Sequence, residues 1–421
     1  MLNESMSKNE VVFSADQKEA LDLLETDDSV FLTGEAGSGK SFVLRHFLKS
    51  RDHKSFPCLA STGAAAVLIG GRTFHSFMGL GILEGGRRGV IEKALKDKRL
   101  HKRLQQAEGF ILDEVSMLSG ETLDIADEVC RVIRDSDLPW GGLRAIMVGD
   151  FAQLPPVERF NREKSWAFEH PIWHRSGLVP ILLRQNMRTQ EPEFLSVLND
   201  IRMGLPSERV RDFLNSRQIE ESQELIGTRL YPRRQQADHH NLYQLSLIEN
   251  EHFEIRTEYG GSEEAVKRIR EMAPIPEVLH LKIGAYVMLR VNDPKGRFVN
   301  GTTGVLKEKA DDHLLIELLN GRMVAIEKMT FQMLNAEGTP IAIATNFPLS
   351  LAYAVTIHKA QGLTVDHAIV DLRRLWEPGH AYVAVSRVKS GQNLYVEGWD
   401  EASIRSDAKV QKFYESLLTN S

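Results

Sequence analysis

The chain has 421 residues, 42% hydrophobic and 7% aromatic, enough apolar material for two or three cores and several domains. Its formal net charge of −6, taken alone, argues against a nucleic-acid partner, so any such partner must be met by a local concentration of cations. Two distant cysteines, Cys58 and Cys130, exclude a disulfide framework or a cysteine zinc site, and no apolar run approaches the roughly 20 residues that span a bilayer.

A soluble protein in a reducing compartment is therefore expected. No apolar leader segment opens the sequence, and Glu4, Glu10, Asp16 and Glu19 all precede the first arginine, Arg45, so neither a secretory signal nor a mitochondrial presequence is expected. The expected location is the cytoplasm, in association with the nucleoid.

Ser14-Ala15-Asp16-Gln17 is an S-x-x-Q capping box that predicts a helix through Leu24. Val30-Phe31-Leu32-Thr33 then reads as a buried strand, followed by Gly34-Glu35-Ala36-Gly37-Ser38-Gly39-Lys40-Ser41 and by the helical run Phe42 to Leu48. Strand, glycine loop and helix are the context of a phosphate-binding loop. The glycines turn backbone N–H groups onto phosphates, Lys40 reaches the terminal phosphates, and the Ser41 hydroxyl ligates Mg²⁺. A nucleoside triphosphate is the expected ligand.

Strands are predicted at Pro57 to Ala60, Phe110 to Leu112, Ala145 to Val148 and Val179 to Leu183, with helices between them such as Glu121 to Arg134. Short, nearly all-apolar strands alternating with helices predict a parallel sheet covered on both faces, a first α/β lobe ending near Arg184. Between the first and second of these runs, Arg87, Arg88, Lys93, Lys96, Lys98, Arg99, Lys102 and Arg103 stand against only Glu92 and Asp97. That segment reads either as a solvated helix face or as a patch that steers a nucleic-acid strand.

Phe110-Ile111-Leu112-Asp113-Glu114 is an apolar strand ending in two acids, a Walker B arrangement in which Asp113 would hold Mg²⁺ and Glu114 would polarise the attacking water. Ile146-Met147-Val148-Gly149-Asp150-Phe151-Ala152-Gln153-Leu154-Pro155-Pro156 is a second strand with a polar end, from which Gln153 would contact the γ-phosphate or its water. Phosphoryl transfer also needs permanent cations against the developing charge, and Arg188 and Arg387 are the candidates. Both lie beyond the first lobe, so they are expected to reach the nucleotide only when the lobes close.

Leu281 to Thr330 changes character: alternating, β-branched and turn-rich sequence, with Asn300-Gly301 and Asn320-Gly321, predicts a small all-β unit. Ala368 to Leu372 and Asn393 to Val396 return to buried-strand composition, so the β unit is inserted into a second α/β lobe.

A phosphate-binding loop alone is shared by kinases, GTPases, transporters and helicases. The ordered set of segments resembles superfamily 1B DNA helicases of the Pif (petite integration frequency) type, related to phage Dda and to RecD, over nearly the whole chain. Phe13 to Gln17 matches the Q motif, Ala60 to Ala66 continuing through Ile69-Gly70 to Phe77 looks like motif Ia, and Asp113 to Met117 with the helix to Arg134 is similar to motif II and the Pif signature, Val115 replacing the usual isoleucine. Arg188, Phe194, Arg202 and Gly204 match the R-x5-F-x7-R-x-G run, Leu351 to Thr364 resembles motif V with Ala360 where serine is commoner, and Tyr382 to Arg387 resembles motif VI.

The resemblance implies two RecA-like lobes: lobe 1A from 1–78 and 109–185, lobe 2A from 186–240 and 340–421. A helical wedge 1B would span 79–108, and an SH3-like all-β insertion 2B would span 241–339. It implies ATP and Mg²⁺ as cofactors, with Gln17 reading the adenine edge and Gln361 and Gly362 joining the loop residues at the nucleotide. Thr62, Gly63, His75, Ser76, Phe77, His358 and Lys359 would line a single-stranded DNA track. It further implies a monomer that travels 5′→3′ on single-stranded DNA and unwinds tailed or forked duplex, in replication, recombination or repair; G-quadruplexes and RNA–DNA hybrids stay open as substrates. A small-molecule kinase leaves motifs Ia, V and VI unexplained, and no N-K-x-D motif supports a GTPase. A binding module that uses ATP only as a switch is disfavoured by intact Lys40, Asp113, Glu114 and Arg387.

Overall fold

A computed structural model of the chain describes residues 12–68, 71–81, 86–156, 164–220, 225–293 and 295–419. Glu4, Glu10 and the Ile69-Gly70 pair of the motif Ia run lie outside the described residues.

The first lobe is built on six parallel strands: β1 (Val30–Gly34), β2 (Cys58–Ala60), β3 (Arg72–Thr73), β4 (Gly109–Asp113), β5 (Arg144–Val148) and β6 (Val179–Leu183), in the order β3-β2-β4-β5-β1-β6. β1 lies between β5 and β6, and all five of its residues are buried. Apolar layers cover both faces, one with Leu24, Val43, Phe47 and Ile146, the other with Phe74, Phe110, Leu123 and Trp140. A strand with helices on both sides must be apolar throughout, which is why these segments read as unbroken apolar runs.

Helix α1 (Ala15–Leu24) has the expected reciprocal box, Ser14 Oγ accepting from Gln17 N and Gln17 Oε1 from Ser14 N. α2 (Lys40–Leu48) starts directly from the phosphate loop. Short helices α3 (Gly63–Leu68) and α4 (Phe74–Phe77) follow β2 and β3. The expected wedge forms α5 (Gly86–Lys96) and α6 (Lys98–Gln106), whose Val90, Ala94, Leu100 and Leu104 join the core under α7 (Gly120–Arg134).

The second lobe has a four-stranded parallel sheet in the order Ala354–Thr356, Thr228–Tyr231, Ala368–Leu372, Leu394–Trp399. Between its first two strands in sequence lies the β region. It holds a five-stranded antiparallel sheet (Tyr286–Leu289, Thr303–Lys309, His313–Leu318, Met323–Glu327 and Leu349–Leu351), a three-stranded sheet (Glu258–Gly261, Met329–Leu334 and Pro340–Asn346) and a ribbon of His252–Arg256 with Val278–Lys282.

Three expectations change. The insertion is not all β: Ser262 caps a helix, Glu263–Met272, whose Ala265 and Ile269 pack with Val67 of α3 in lobe 1. The β region also runs past residue 339, because Pro340–Asn346 and Leu349–Leu351 pair with its sheets. Finally, the helix Ala408–Thr419, expected in the second lobe, lays its apolar side on the first, where Phe413 stacks on Phe168 at 4.4 Å and Val410 and Tyr414 enter the core around Phe31 and Phe151. Among the described residues no helix is long and apolar enough to cross a membrane.

Candidate functional site

Parallel strands deliver their following loops to one edge of the sheet. After β1 comes the glycine loop, after β4 the acidic pair, after β5 the Asp150 turn, and after β2 and β3 the residues Thr62 and His75. The expected nucleotide site and the expected strand track therefore share one edge of lobe 1.

In the loop, Gly37 and Gly39 both have φ of +91°, and a Cβ on Gly37 would meet Arg188 Cβ at 2.6 Å while one on Gly39 would meet Gln17 Nε2 at 2.5 Å. Only glycine meets both the backbone and the space requirement. Lys40 Nζ lies back on its own loop, donating to Gly34 O at 2.7 Å and Glu35 O at 3.0 Å, and burial pulls its ammonium below the usual range. Ser38 Oγ is buried without a partner. A cation folded back on the loop's own carbonyls, beside an orphaned buried hydroxyl at a helix start, is a cradle that suits phosphate.

Gln17 is 1% exposed and fully engaged: its Oε1 serves the capping box and its Nε2 donates to Ser38 O at 3.2 Å. It braces the loop. Ser41 is exposed on the first turn of α2, and Asp113 ends β4. A hydroxyl and a carboxylate at these two points form the hard oxygen set that Mg²⁺ takes.

Glu114 sits in the left-handed region, φ +54° and ψ +48°, and its N–H donates to Asp113 Oδ1 at 2.9 Å. Burial and then the Asp113 charge push the Glu114 carboxyl up to about 7; burial also raises Asp113. From the second lobe, Gln361 Nε2 donates to Glu114 Oε2 at 3.0 Å.

The segment after β6 lies directly on the phosphate loop: Met187 N donates to Gly37 O at 2.8 Å and Asn186 Nδ2 to Ala36 O at 3.0 Å. Arg188, expected to lie beyond the first lobe, is set against the loop by its own backbone neighbours, and its guanidinium donates to Ser386 O of the second lobe. Arg387 is 1% exposed in the second lobe, where its donors bond Val383 O, Ala360 O and Ser386 Oγ. Burial brings Arg188 down to about 10; burial and then Arg188 bring Arg387 down to about 9. Among the described residues neither guanidinium has a carboxylate within ion-pair distance.

Several residues at this seam were not singled out from the sequence. Tyr382 Oη accepts from Ala36 N at 2.8 Å, tying the second lobe to the phosphate loop. Asp150, 0% exposed, pairs with Arg202 at 2.9 Å and accepts from Tyr414 Oη at 2.9 Å, while the Arg202 guanidinium lies 4.2 Å from the Tyr414 ring centroid. Burial acts to raise Asp150, but Arg202 and Lys40 outweigh it and hold the carboxyl below its usual range. Gln153 is 6% exposed and turns its Nε2 toward Asp150 at 3.4 Å. The signal available was that Asp150 and Arg202 both lie in quoted motifs; their pairing is a long-range fact.

On the track side, Ser76, His358 and Lys359 are exposed and His75 is half-buried, with burial lowering its imidazole below the usual range. Thr62 Oγ1 accepts from Ala65 N, and Gly63 lies under Met272, where a Cβ would meet the sulfur at 2.5 Å. Phe77 is a correction: at 0% exposure it is a core residue, with Arg72 and Arg103 over its ring, and it has no face for a base. Arg103 likewise leaves the basic patch, since it is buried against Phe77 O and Glu337. Lys93, Lys96, Lys98, Arg99 and Lys102 remain exposed. Trp376, 43% exposed beside His380 and under Arg233, is an aromatic surface absent from the expected track.

A glycine loop with its lysine, an acidic strand end, the half-buried Arg188 and the buried Arg387 at a seam of two RecA-like lobes define a P-loop ATPase of the helicase class. A family model described as PIF1-like helicase matches residues 12–210. The chain is 47% identical to the ATP-dependent DNA helicase Pif1 of Bdellovibrio bacteriovorus over 98% of its length and 94% of that protein. It is 31% identical to the ATP-dependent DNA helicase PIF1 of Xenopus laevis, covering 98% of this chain but 65% of that longer one. The crystal structure of Bacteroides Pif1 with ADP-AlF4, 27% identical, superposes over 98% of both chains with a TM-score of 0.86, and its complex with single-stranded DNA, over 97% and 98%, with 0.65. The chain belongs to the PIF1-like helicase family.

Proposed function

We propose that this chain is an ATP-dependent DNA helicase that travels 5′→3′ on single-stranded DNA and opens tailed or forked duplex. The observation that carries this reading is the pair Arg188 and Arg387. A buried cation, Arg387, and a half-buried one, Arg188, neither with a carboxylate partner among the described residues, are costly to keep, and an incoming triphosphate at the glycine loop compensates both. In this reading Lys40 and the loop amides hold the β- and γ-phosphates, and Ser41 and Asp113 would hold Mg²⁺, which when bound would supply positive charge to the phosphate oxygens. Glu114 takes a proton from water as its oxygen bonds the γ-phosphorus and the bond to ADP breaks. Arg188 and Arg387 steady the charge that develops.

Strand grip follows from the shared sheet edge. His75 and Ser76 on lobe 1 and His358 and Lys359 on lobe 2 contact the strand, so a cycle that opens and closes the seam changes their spacing. The relatives named ATP-dependent DNA helicases support this reading, as does the Bacteroides Pif1 structure bound to single-stranded DNA. We further take the chain to act as a monomer on nucleoid DNA in the cytoplasm.

The test is ATP turnover with and without single-stranded DNA, followed by strand separation on 5′-tailed against 3′-tailed duplexes. Strong stimulation and opening of the 5′-tailed substrate are expected. Turnover indifferent to DNA would remove the motor; preferential opening of the 3′-tailed duplex would reverse the polarity alone.

A further inference from the structure

Glu114, the acid that must accept a proton from water, is held by one contact from the opposite lobe. Gln361 Nε2 donates to its Oε2 at 3.0 Å, while Gln361 Oε1 is buried without a partner. The amide is thus committed through its N–H to Glu114. A carboxylate oxygen that already accepts a directed donor has less lone-pair density for the proton of a water. The Glu114 backbone is left-handed at φ +54°, a strained conformation for a residue with a Cβ, which persists only where the surroundings hold it.

Gln361 caps the end of the one-turn helix Ile357–Ala360. Its first turn is closed by Thr356 Oγ1, which accepts from Lys359 N, and Ile357 and Ala360 are buried in the second lobe's core. The two residues on its open side are His358 and Lys359, both exposed. Gly362 follows with φ +75° and nothing within 4 Å of where a Cβ would stand. A short, rigid turn thus joins the strand-facing pair to the glutamine, with a glycine directly behind it to absorb a change of direction.

We propose that Gln361 is the positioning residue through which bound strand controls ATP hydrolysis: without nucleic acid it occupies Glu114 Oε2, and a strand phosphate drawn to His358 and Lys359 shifts the turn and withdraws it. The proposal rests on the reading of Glu114 as the proton acceptor. It assigns the DNA dependence of turnover to one hydrogen bond across the seam, separate from nucleotide affinity.

The experiment measures steady-state ATP turnover of the whole chain, with and without saturating oligo-dT, for the unchanged protein, Gln361→Ala, Gln361→Leu and Glu114→Gln. Leucine keeps the side-chain volume while removing the donor. Both Gln361 variants are expected to raise DNA-free kcat about tenfold, the weight of one hydrogen bond to a charged group, with KM for ATP little changed and the stimulation ratio lowered to match. DNA-free kcat at or below the unchanged protein's overturns the proposal. So does a raised KM for ATP at constant kcat, which would make Gln361 a nucleotide contact. Glu114→Gln is expected to lose turnover in both conditions. If it retains turnover, the Glu114 assignment fails and the proposal with it; if it is inactive while both Gln361 variants stay flat, only the proposal fails.

Discussion

The seam between the lobes and the exposed surface we propose for the strand treat their charged side chains in opposite ways. At the seam Asp150, Arg202 and Arg387 are withdrawn from water and Lys40 and Arg188 partly so, whereas Lys98, Lys102, His358 and Lys359 stand in it. A buried charge is stabilised by fixed partners and tolerates little change; an exposed one contributes in small, salt-screened increments. The seam is therefore suited to all-or-none chemistry and the exposed surface to graded, salt-sensitive contacts.

The steepest test of that division is Arg387→Ala, expected to lower kcat about 100- to 1,000-fold in a turnover assay with the fold retained. A mild loss would mean that the arginine serves only its backbone partners. Next is Asp150→Asn, which leaves Arg202 buried without its counter-charge; a loss of about 3 kcal/mol of unfolding free energy is expected in urea titration. An unchanged midpoint would show the seam to be less dry than the burial of these groups implies.

The pH response of the seam has a definite sign. Glu114, raised to about 7 by burial and Asp113, must be ionised to accept a proton, so kcat/KM is expected to fall as pH drops through 7, about tenfold between pH 8 and pH 6. An acid limb near 4.5 would place the carboxylate in water instead. The gentlest effect belongs to the exposed surface: Lys102→Ala should reduce the slope of log affinity for DNA against log salt by about one and leave stability alone. Arg103→Ala, one residue on, should do the reverse, destabilising the contacts with Phe77 O and Glu337 without moving the salt slope.

The same division explains what the sequence disclosed. The glycine loop, the Asp113-Glu114 strand end and the Ser14 to Gln17 capping box are local, each specified within a few residues. The seam is not local: Asp150 meets Arg202 and Tyr414 from positions 52 and 264 residues away. Phe77 lies in the motif Ia run, but its spacing points inward: Phe74 and Phe77, three apart on one short helix, face the same core. The helix Glu263–Met272 had its signals in Ser262, Glu263 and Glu264, overshadowed by the strand-rich sequence after it.

The docking of Ala408–Thr419 onto the first lobe has a consequence for how the molecule assembles during synthesis. Phe413 and Tyr414 complete a hydrophobic face that includes Phe31, Phe151, Phe168 and Trp173, all translated more than 200 residues earlier. A ribosome-bound chain holding only the ATP-binding half would present that aromatic face uncovered until Ala408–Thr419 emerges, so this lobe, though made before the second, waits on a distant segment to be sealed.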